Sequence, residues 1–272
     1  MSACDLMIFA AGLGTRLRPA TLENPKPAIP LLGIPLGYYV LPYLENLNVK
    51  NLVVNTFHLP EKIHTLYEKI DLFNFHFSDE KEFIKDSGGG LKQAEQFFSK
   101  SVPILALNAD EVFFIKDSCF LQKALDFHIK EKNYATLVVM EHPEAGKKFG
   151  GIWCDGSRVK DIGKDPEQTK IQTGLKPWHY IGLQILSAEV LQAIPENQAA
   201  NIFYDVLVHQ LQNKKVQIFS IHCDWYEVGS KQDYLETKIA IENKLNQKEE
   251  MYLSHFQKLK KYPASDLGDL TE

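Results

Sequence analysis

The sequence lacks paired cysteines and any long apolar run. Its four cysteines, Cys4, Cys119, Cys154 and Cys223, lie far apart, and no C-x-x-C pair occurs that would indicate a zinc site. No run of about 18 apolar residues is present, as a membrane-spanning helix would require. The N-terminus has neither the charged nor the apolar region of a signal peptide. We therefore expect a cytoplasmic protein with reduced thiols and no membrane partner.

An excess of basic residues is also missing. The chain of 272 residues has 30 lysines and arginines against 35 aspartates and glutamates, which gives a formal net charge of -5. Proteins that bind nucleic acids usually present a basic face, so this balance argues against a nucleic-acid partner. The length and the 44% hydrophobic content are sufficient for a sizeable core in one large domain.

Strand-like and helix-like segments alternate through the first half of the chain. We predict strands at 5–10, 51–55, 73–77, 102–108 and 135–140, and helices at 60–70, 91–98 and 120–132. A further helix is predicted at 36–47, although Pro42 would disturb its middle. The charged stretch 79–85 is expected to be a solvated loop. This alternation indicates a parallel sheet with helices on both faces, in which ligands bind beyond the carboxyl ends of the strands.

The second half of the chain changes character. We predict a hairpin at 150–153 and 159–162, strands at 181–186, 216–221 and 225–228, short helices at 188–194 and 202–211, and terminal helices at 231–245 and 249–261. The polar tail from Pro263 is expected to fray. We divide the chain into a catalytic domain, residues 1–246, and a C-terminal helix with a polar tail, residues 247–272.

The most informative stretch follows the first predicted strand. Gly12 and Gly14 allow a tight turn that presents bare N–H groups. Arg16 and Lys26 on the same loop are suited to phosphate, and prolines on both sides of Lys26 restrict its backbone. The third glycine of the dinucleotide fingerprint is missing, and no Gly-Lys-Ser/Thr of a P-loop occurs. The stretch therefore predicts a phosphate-binding loop of another kind.

Gly12-Leu13-Gly14-Thr15-Arg16, followed by Pro25-Lys26-Pro27, resembles the signature of the sugar-1-phosphate nucleotidyltransferases. The resemblance runs from residue 6 to about 235 and is greatest to the short bacterial N-acetylmuramate-1-phosphate uridylyltransferases and mannose-1-phosphate guanylyltransferases. It implies an α/β fold with a Rossmann-like, mostly parallel mixed sheet. It also implies transfer of a nucleoside monophosphate from an NTP, with UTP or GTP favoured, to a sugar-1-phosphate with release of pyrophosphate.

The resemblance assigns roles to individual residues on the nucleotide side. Arg16 would hold the departing pyrophosphate, and Lys26 would neutralise phosphate charge near the reacting centre. Asp86-Ser87-Gly88-Gly89-Gly90 resembles the family's glycine turn beside the base and ribose. The residues expected to contact the nucleotide are Ala11, Gly12, Gly14, Thr15, Arg16, Gly88 and Gly89.

A magnesium site is implied in the same way. Asn108-Ala109-Asp110 resembles the family's Asn-Gly-Asp, whose aspartate binds Mg²⁺, so Asp110 joins Arg16 and Lys26 as a catalytic residue. Residues 225–230 resemble Trp-x-Asp-Val-Gly-Thr, and Glu227 stands where the second metal ligand is expected. Glutamate keeps a hard oxygen ligand, but its extra methylene has to be accommodated by the backbone or the metal. Asp224 is a neighbouring carboxylate outside the motif.

The sugar side is carried by weaker matches. Phe149-Gly150-Gly151 resembles the turn that borders the sugar, and Tyr180-Ile181-Gly182 resembles the strand that lines it. Lys164 stands where relatives have a lysine on the sugar phosphate, with Lys176 as a competing candidate. The expected sugar-binding residues are Gly151, Lys164 and Tyr180.

Two other functions remain open at this point. Glu227 in place of aspartate is compatible with a nucleotide-binding regulatory homologue of low activity. Small enzymes of this kind also act on non-sugar phosphates such as phosphocholine. The terminal helices allow either a monomer or a homodimer.

Overall fold

The structure, a computed structural model, describes residues 1–71, 74–167 and 169–271. Nine strands in this part of the chain form one sheet. Their order from edge to edge is Phe75–Asp79, Asn48–Thr56, Ala3–Phe9, Ile104–Asn108, Lys176–Leu186, Ala135–Met140, Val216–Ser220, Arg158–Gly163 and Gly151–Asp155. The last strand also pairs with Lys176–Leu186, which folds the far end of the sheet back on itself.

The directions of the strands determine which strand ends meet at one edge of the sheet. The first four strands in this order run parallel, so they all end at the same edge. Lys176–Leu186 runs against both of its neighbours, Ile104–Asn108 and Ala135–Met140. Its beginning therefore lies at the edge where the parallel strands end. The predicted α/β fold with a Rossmann-like, mostly parallel mixed sheet is confirmed.

Helices cover both faces of the sheet. Leu6 and Ile8 of the first strand pack into one core cluster, whereas Met7 between them packs into the other, as the alternation of a strand requires. The longer helices are Pro60–Glu68, Asp86–Gln93, Phe120–Glu131, Lys231–Asn246 and Glu250–Leu259. No helix in the described ranges has both the length and the apolar character needed to cross a membrane.

Shorter elements complete the chain. Helical turns occur at Thr15–Leu17, Ala20–Glu23, Lys26–Ala28, Leu36–Tyr38, Leu41–Leu44, Ala94–Phe97, Thr169–Gln172, Val190–Ala193 and Val208–Gln210, and a π-helix at Ile202–Leu207. Two small antiparallel pairs stand outside the main sheet. They are Pro30–Leu31 with Ile34–Pro35, and Val112–Phe114 with Asp224–Tyr226.

Several local predictions were wrong. The helix at 36–47 is replaced by the turns Leu36–Tyr38 and Leu41–Leu44, with Pro42 inside the second. Since proline has no N–H and fixes its own backbone, it is tolerated in a first turn and not in a continuous helix. The predicted strand 73–77 is observed as Phe75–Asp79, and Phe73 lies outside the described residues.

Three further differences bear on the site. The glycines at 88–90 do not precede a helix but lie inside Asp86–Gln93, all three buried. The charged stretch 79–85 is not wholly solvated, because Glu80 is buried between strand and helix. The tail is not frayed at Asp269, which accepts two backbone hydrogen bonds from the Leu32–Gly33 turn.

His255 makes stability depend on pH. It is 5% exposed and stacks on Tyr43 with ring centroids 4.9 Å apart. Burial lowers the pKa of its imidazole from 6.5 to about 3. Between these values the unfolded chain binds a proton that the folded state does not. The buried, neutral His255 therefore does not reduce the free energy of unfolding above pH 6.5. As the pH falls below this value, protonation of the unfolded chain lowers the free energy of unfolding.

We predict that His255→Phe, which keeps a ring without a titrating group, reduces the decrease in the free energy of unfolding at low pH. Urea unfolding of the wild type and the variant at about pH 7 and about pH 5 measures this decrease. The wild type should lose more stability between the two conditions than the variant. Equal losses would contradict a neutral, buried His255.

Candidate active site

A hydrogen-bonded chain ties together the ends of the first three parallel strands. The Ala10 N–H donates to Asn55 Oδ1 at 2.9 Å, and Asn55 Nδ2 donates to Glu80 Oε1 at 2.8 Å. The other oxygen of Glu80 accepts the Lys85 N–H at 2.6 Å. Burial raises the pKa of Glu80, although these hydrogen bonds oppose the shift. These three hydrogen bonds hold the start of the glycine loop against the helix Asp86–Gln93.

The hydrogen bond between Asn55 and Glu80 is sterically possible only because residue 90 is glycine. A Cβ at this position would lie 2.6 Å from Asn55 Nδ2 and 3.0 Å from Glu80 Oε1. The helix can approach the two strands only because residue 90 has no side chain. Neither Asn55 nor Glu80 is evident from the sequence, since Glu80 stands in a charged run that resembles a solvated loop.

The glycine loop is held open in a defined shape. Gly14 has a φ of +60°, and its carbonyl accepts the Thr21 hydroxyl at 2.8 Å. A Cβ on Gly14 would lie 2.9 Å from Thr21 Cγ2, whereas one on Gly12 would meet nothing within 4 Å. The backbone at Gly12 therefore borders open space that a ligand can reach.

Two adjoining cavities open at this loop and share Phe9, Gly12 and Asp110. One, of about 230 Å³, is lined also by Gly14, Thr15, Arg16, Lys26 and Gly229. The other, of about 410 Å³, is lined also by Ala11, Asn55, Ile84, Asp86, Ser87 and Asn108. The first is basic and suited to phosphates. The second offers apolar carbon together with polar groups, as a nucleoside requires.

Lys26 and Asp110 form an ion pair between the cavities. Lys26 Nζ lies 2.5 Å from Asp110 Oδ2, and the two side chains are 13% and 31% exposed. Burial alone would raise the pKa of Asp110, but the ammonium of Lys26 outweighs it and the pKa is lowered. Asp110 is therefore ionised, and Lys26 is held at the centre of the site.

Glu227 lies beside two residues that line the smaller cavity, Arg16 and Gly229. Its Oε1 lies 3.6 Å from Arg16 Nη1. A Cβ on Gly229 would lie 2.1 Å from the same Oε1 and 2.4 Å from Arg16 Nη1. Glu227 therefore folds over Gly229, which lines the cavity. The structure brings together Arg16, Lys26, Asp110 and Glu227, which the sequence analysis predicted from three distant stretches.

The two carboxylates are also the groups that fit a metal. Among the described residues, no group of three or more His, Cys, Asp or Glu side chains is placed to hold an ion. Mg²⁺ in phosphate-transfer sites is usually held by one or two carboxylates together with phosphate oxygens and water. Asp110 and Glu227 are carboxylates of this kind, and their role as metal ligands stays a prediction.

Glu111 is a third carboxylate that the sequence analysis did not single out. Its Oε1 accepts Asn108 Nδ2 and its Oε2 accepts Trp225 Nε1, both at 2.9 Å. A Cβ on Gly182 would lie 2.1 Å from Oε1, so the carboxylate packs directly on the Gly182 backbone. Burial and the Asp110 charge raise the pKa of Glu111 to about 7. Only its position directly after Asp110 could have drawn attention to it.

Gly88 and Gly89 do not line the two cavities. A Cβ on Gly88 would lie 2.8 Å from the Ala200 carbonyl oxygen, and one on Gly89 would lie 2.7 Å from that of Gln198. They pack against that segment, and Asp86 and Ser87 line the cavity instead. Gly89 borders a separate surface groove of about 480 Å³. The expected contact of both glycines with the nucleotide stays a prediction.

The predicted sugar residues form a neighbouring region outside both cavities. Gly151 pairs with His179 and Gly163, and the ring of Tyr180 packs edge-on against Phe203 at 4.8 Å. The Lys164 side chain is exposed to solvent. Lys176, its competitor, forms an ion pair with Glu141.

An aromatic cluster separates this region from Glu111. The rings of His179 and Phe149 lie 4.3 Å and 5.5 Å from that of Trp225. Tyr204, 52% exposed on the π-helix, points its hydroxyl toward Gly150. The region thus contains a cluster of rings that contacts Glu111 through Trp225.

Residues 6–244 match the family described as nucleotidyl transferase. The chain belongs to this family. The family resemblance predicted from the loop motifs is confirmed.

Relatives in this nucleotidyl transferase family match most of the chain. It is 30% identical over 243 residues to mannose-1-phosphate guanyltransferase of Saccharomyces cerevisiae. The aligned region covers 88% of this chain and 65% of the yeast protein. It is 27% identical over 244 residues to UTP–glucose-1-phosphate uridylyltransferase of Synechocystis sp., which covers 84% of this chain and 61% of that protein. The chain thus spans slightly less than two thirds of the length of these relatives.

Several solved structures have the same fold as this protein. A crystal structure of UDP-glucose pyrophosphorylase complexed with UDP-glucose matches with a TM-score of 0.72 and 20% identity, and covers 90% of this chain and 100% of that one. The inositol-1-phosphate CTP transferase from T. maritima matches with a TM-score of 0.70 and 17% identity, and covers 88% of this chain and 97% of that one. At these identities the likeness establishes the fold.

We predict opposite effects for two glycine substitutions. Gly90→Ala should lower the free energy of unfolding by about 1–3 kcal/mol, because its Cβ collides with buried polar groups. Gly12→Ala should leave stability unchanged but weaken nucleotide binding, because a methyl group enters the space beside the loop. Urea unfolding and nucleotide titration measure the two effects. A stable Gly90→Ala protein, or normal nucleotide affinity in Gly12→Ala, would contradict the prediction.

Glu111→Gln should change the pH dependence of stability. The folded protein keeps a proton on Glu111 between 4.5 and about 7 that the unfolded chain has lost. Its contribution to stability is therefore present below this range and is lost as the pH rises through it. Stability curves of the two proteins should diverge over this range, with the wild type losing more. Parallel curves would refute the raised pKa.

Proposed function

We propose that this protein transfers a nucleoside monophosphate from a nucleoside triphosphate to a sugar-1-phosphate and releases pyrophosphate. The observation that carries the proposal is the meeting of Arg16, Lys26 and Asp110 between two adjoining cavities beside the open glycine loop. Membership of the nucleotidyl transferase family supports it. The printed activities of the relatives, guanyl and uridylyl transfer, supply the reaction class.

The groups suit the physical demands of such a reaction. A phosphate monoester is already an anion and a nucleophile, so no strong general base is required. The site has to align two anions that repel each other and to stabilise charge on the leaving pyrophosphate. Lys26 supplies a cation beside the α-phosphate, and Arg16 supplies one for the pyrophosphate. The bare backbone at Gly12 lets the triphosphate approach closely.

The proposal includes Mg²⁺ as the cofactor, held by Asp110 and Glu227. When bound, the ion neutralises phosphate charge. Asp110 also contacts Lys26, and Glu227 also contacts Arg16. Asp110 and Glu227 would be the protein ligands of the ion, and phosphate oxygens of the substrates would pair with Lys26 and Arg16.

The names of the relatives suggest the candidate substrates, and Lys164 and Lys176 are the candidate ligands of the acceptor phosphate. GTP and UTP are the first candidate donors, and mannose-1-phosphate and glucose-1-phosphate are the first candidate acceptors, since the relatives' names contain these bases and sugars. Lys164 and Lys176 both remain candidates for the acceptor phosphate; the side chain of Lys164 is exposed, and that of Lys176 is paired with Glu141. Gly151 and Tyr180 belong to the same acceptor region. A cytoplasmic location and a monomer or homodimer remain predictions.

A substrate panel with matched variants tests the proposal. Pyrophosphate release would be measured with Mg²⁺ for four triphosphates against mannose-1-phosphate, glucose-1-phosphate, N-acetylmuramate-1-phosphate and phosphocholine. Lys26→Met should lower kcat/KM by about 10²- to 10³-fold, since it removes one preorganised cation, and Asp110→Asn should also inactivate. Thermal unfolding checks that both variants are folded.

Lys123→Met is the matched control. Lys123 and Asp117 form a surface ion pair at 2.6 Å, similar in length to that of Lys26 and Asp110. Its loss should leave kcat/KM unchanged. Full activity of Lys26→Met would overturn the proposed site. Nucleotide binding without turnover on any acceptor would favour a regulatory protein, and turnover on phosphocholine alone would redefine the acceptor.

A further inference from the structure

We propose that the tail at residues 265–270 is a clasp that positions Lys26. The tail lies beyond the part of the chain that matches the family, which ends at residue 244. The proposal rests on the proposed function for the role of Lys26. It assigns the tail a part in catalysis although none of its residues touches the site.

The first contact of the clasp is made by Asp269 on a strained turn. Leu32 and Gly33 join the two short strands Pro30–Leu31 and Ile34–Pro35, with φ values of +53° and +75°. A leucine in this left-handed region is unfavourable without local support. Asp269 Oδ1 accepts the Gly33 N–H at 2.9 Å and Oδ2 accepts the Leu32 N–H at 3.1 Å. The Ser265 N–H donates to the Gly33 carbonyl at 3.0 Å and closes the clasp from the other side.

This turn is connected rigidly to Lys26. Lys26–Ala28 is a single helical turn, and the Ile29 N–H donates to the Lys26 carbonyl at 3.1 Å. The Leu36 N–H, directly after the returning strand Ile34–Pro35, donates to the Ile29 carbonyl at 2.9 Å. A displacement of the turn is therefore transmitted to Lys26 over a few residues of hydrogen-bonded backbone.

One helix supports the tail, the turn and Glu227 together. In Lys231–Asn246 the Tyr234 hydroxyl donates to the Pro30 carbonyl at 2.5 Å and accepts the Leu270 N–H at 3.3 Å. Thr237 donates to the Glu227 carbonyl at 2.8 Å. Lys238 Nζ lies 3.1 Å from Asp269 Oδ2. Tyr234, Thr237 and Lys238 share one helix face by their spacing.

The arrangement fixes the separation of two charged groups. Lys26 and Glu227 approach the smaller cavity from different segments, and the helix face holds both segments while Asp269 holds the turn to the helix. Asp269 is only 17% exposed, so its charge is partly shielded from solvent. Because catalytic positioning is sensitive to displacements of about 1 Å, loosening the turn should slow the reaction more than it weakens acceptor binding.

The test compares two tail substitutions in the full-length protein. Asp269→Ala removes the clasp, whereas Asp266→Ala removes an aspartate that is 91% exposed and lies 3.5 Å from Lys69. Amide hydrogen exchange of residues 29–35 and steady-state kinetics are measured for both. Asp269→Ala should raise exchange in that segment and lower kcat about tenfold with the acceptor KM unchanged. Asp266→Ala should behave as wild type, and Asp269→Asn, which keeps one carbonyl oxygen, should be intermediate.

The outcomes separate this proposal from the proposed function. Exchange in Asp269→Ala equal to that in Asp266→Ala overturns the clasp. Raised exchange with unchanged kcat overturns the positioning of Lys26. If the wild type turns over no substrate pair, the proposed function fails, whereas exchange still decides the clasp. The affinities of both variants for GTP and UTP then decide whether Lys26 is displaced.

Discussion

The ion pair between Lys26 and Asp110 is the interaction on which the site depends. Its partners come from a helical turn near the N-terminus and from the end of a central strand, so it forms only when the sheet is assembled. Partial burial would favour a protonated aspartate, and the neighbouring ammonium reverses this. The pair therefore keeps an ionised carboxylate and a fixed cation at the junction of two cavities. In the proposed function, phosphate groups of a triphosphate would take the place of Asp110 as partners of Lys26.

Two unrelated supports hold this pair in place. On one side, Asn55 and Glu80 tie the start of the glycine loop to a helix that approaches only because residue 90 is glycine. On the opposite side, the helix Lys231–Asn246 carries the segments of Lys26 and Glu227. The first support consists of hydrogen bonds to a buried Glu80 carboxyl group, and the second combines hydroxyl groups with an ion pair. The parallel strands between them provide the rigid edge from which both are built.

The sequence was sufficient for the fold class and for the residues that stand directly after strands. Gly12 and Asp110 follow strand ends, and the carboxyl ends of parallel strands meet at one edge whatever the loops do. Glu80, Glu111 and Asp269 could not be predicted in this way. Their roles depend on partners 25, 114 and 237 positions away in the chain. A linear pattern carries no information about such contacts, and a charged run or a polar tail then reads as solvated.

Glu227 shows how a departure from a motif can be accommodated by its neighbours. Its extra methylene extends the carboxylate over residue 229, where any Cβ would lie 2.1 Å from the oxygen. Glycine at that position therefore admits the longer side chain, while Thr237 anchors the Glu227 carbonyl and fixes where the side chain begins. The contact with Arg16 is long, at 3.6 Å, and Arg16 is 69% exposed, so the pair is weak. Arg16 can leave it for a phosphate at little cost. The site then has one strongly held cation, Lys26, and one loosely held cation, Arg16. In the proposed function the first would position the phosphates and the second would move with the leaving pyrophosphate.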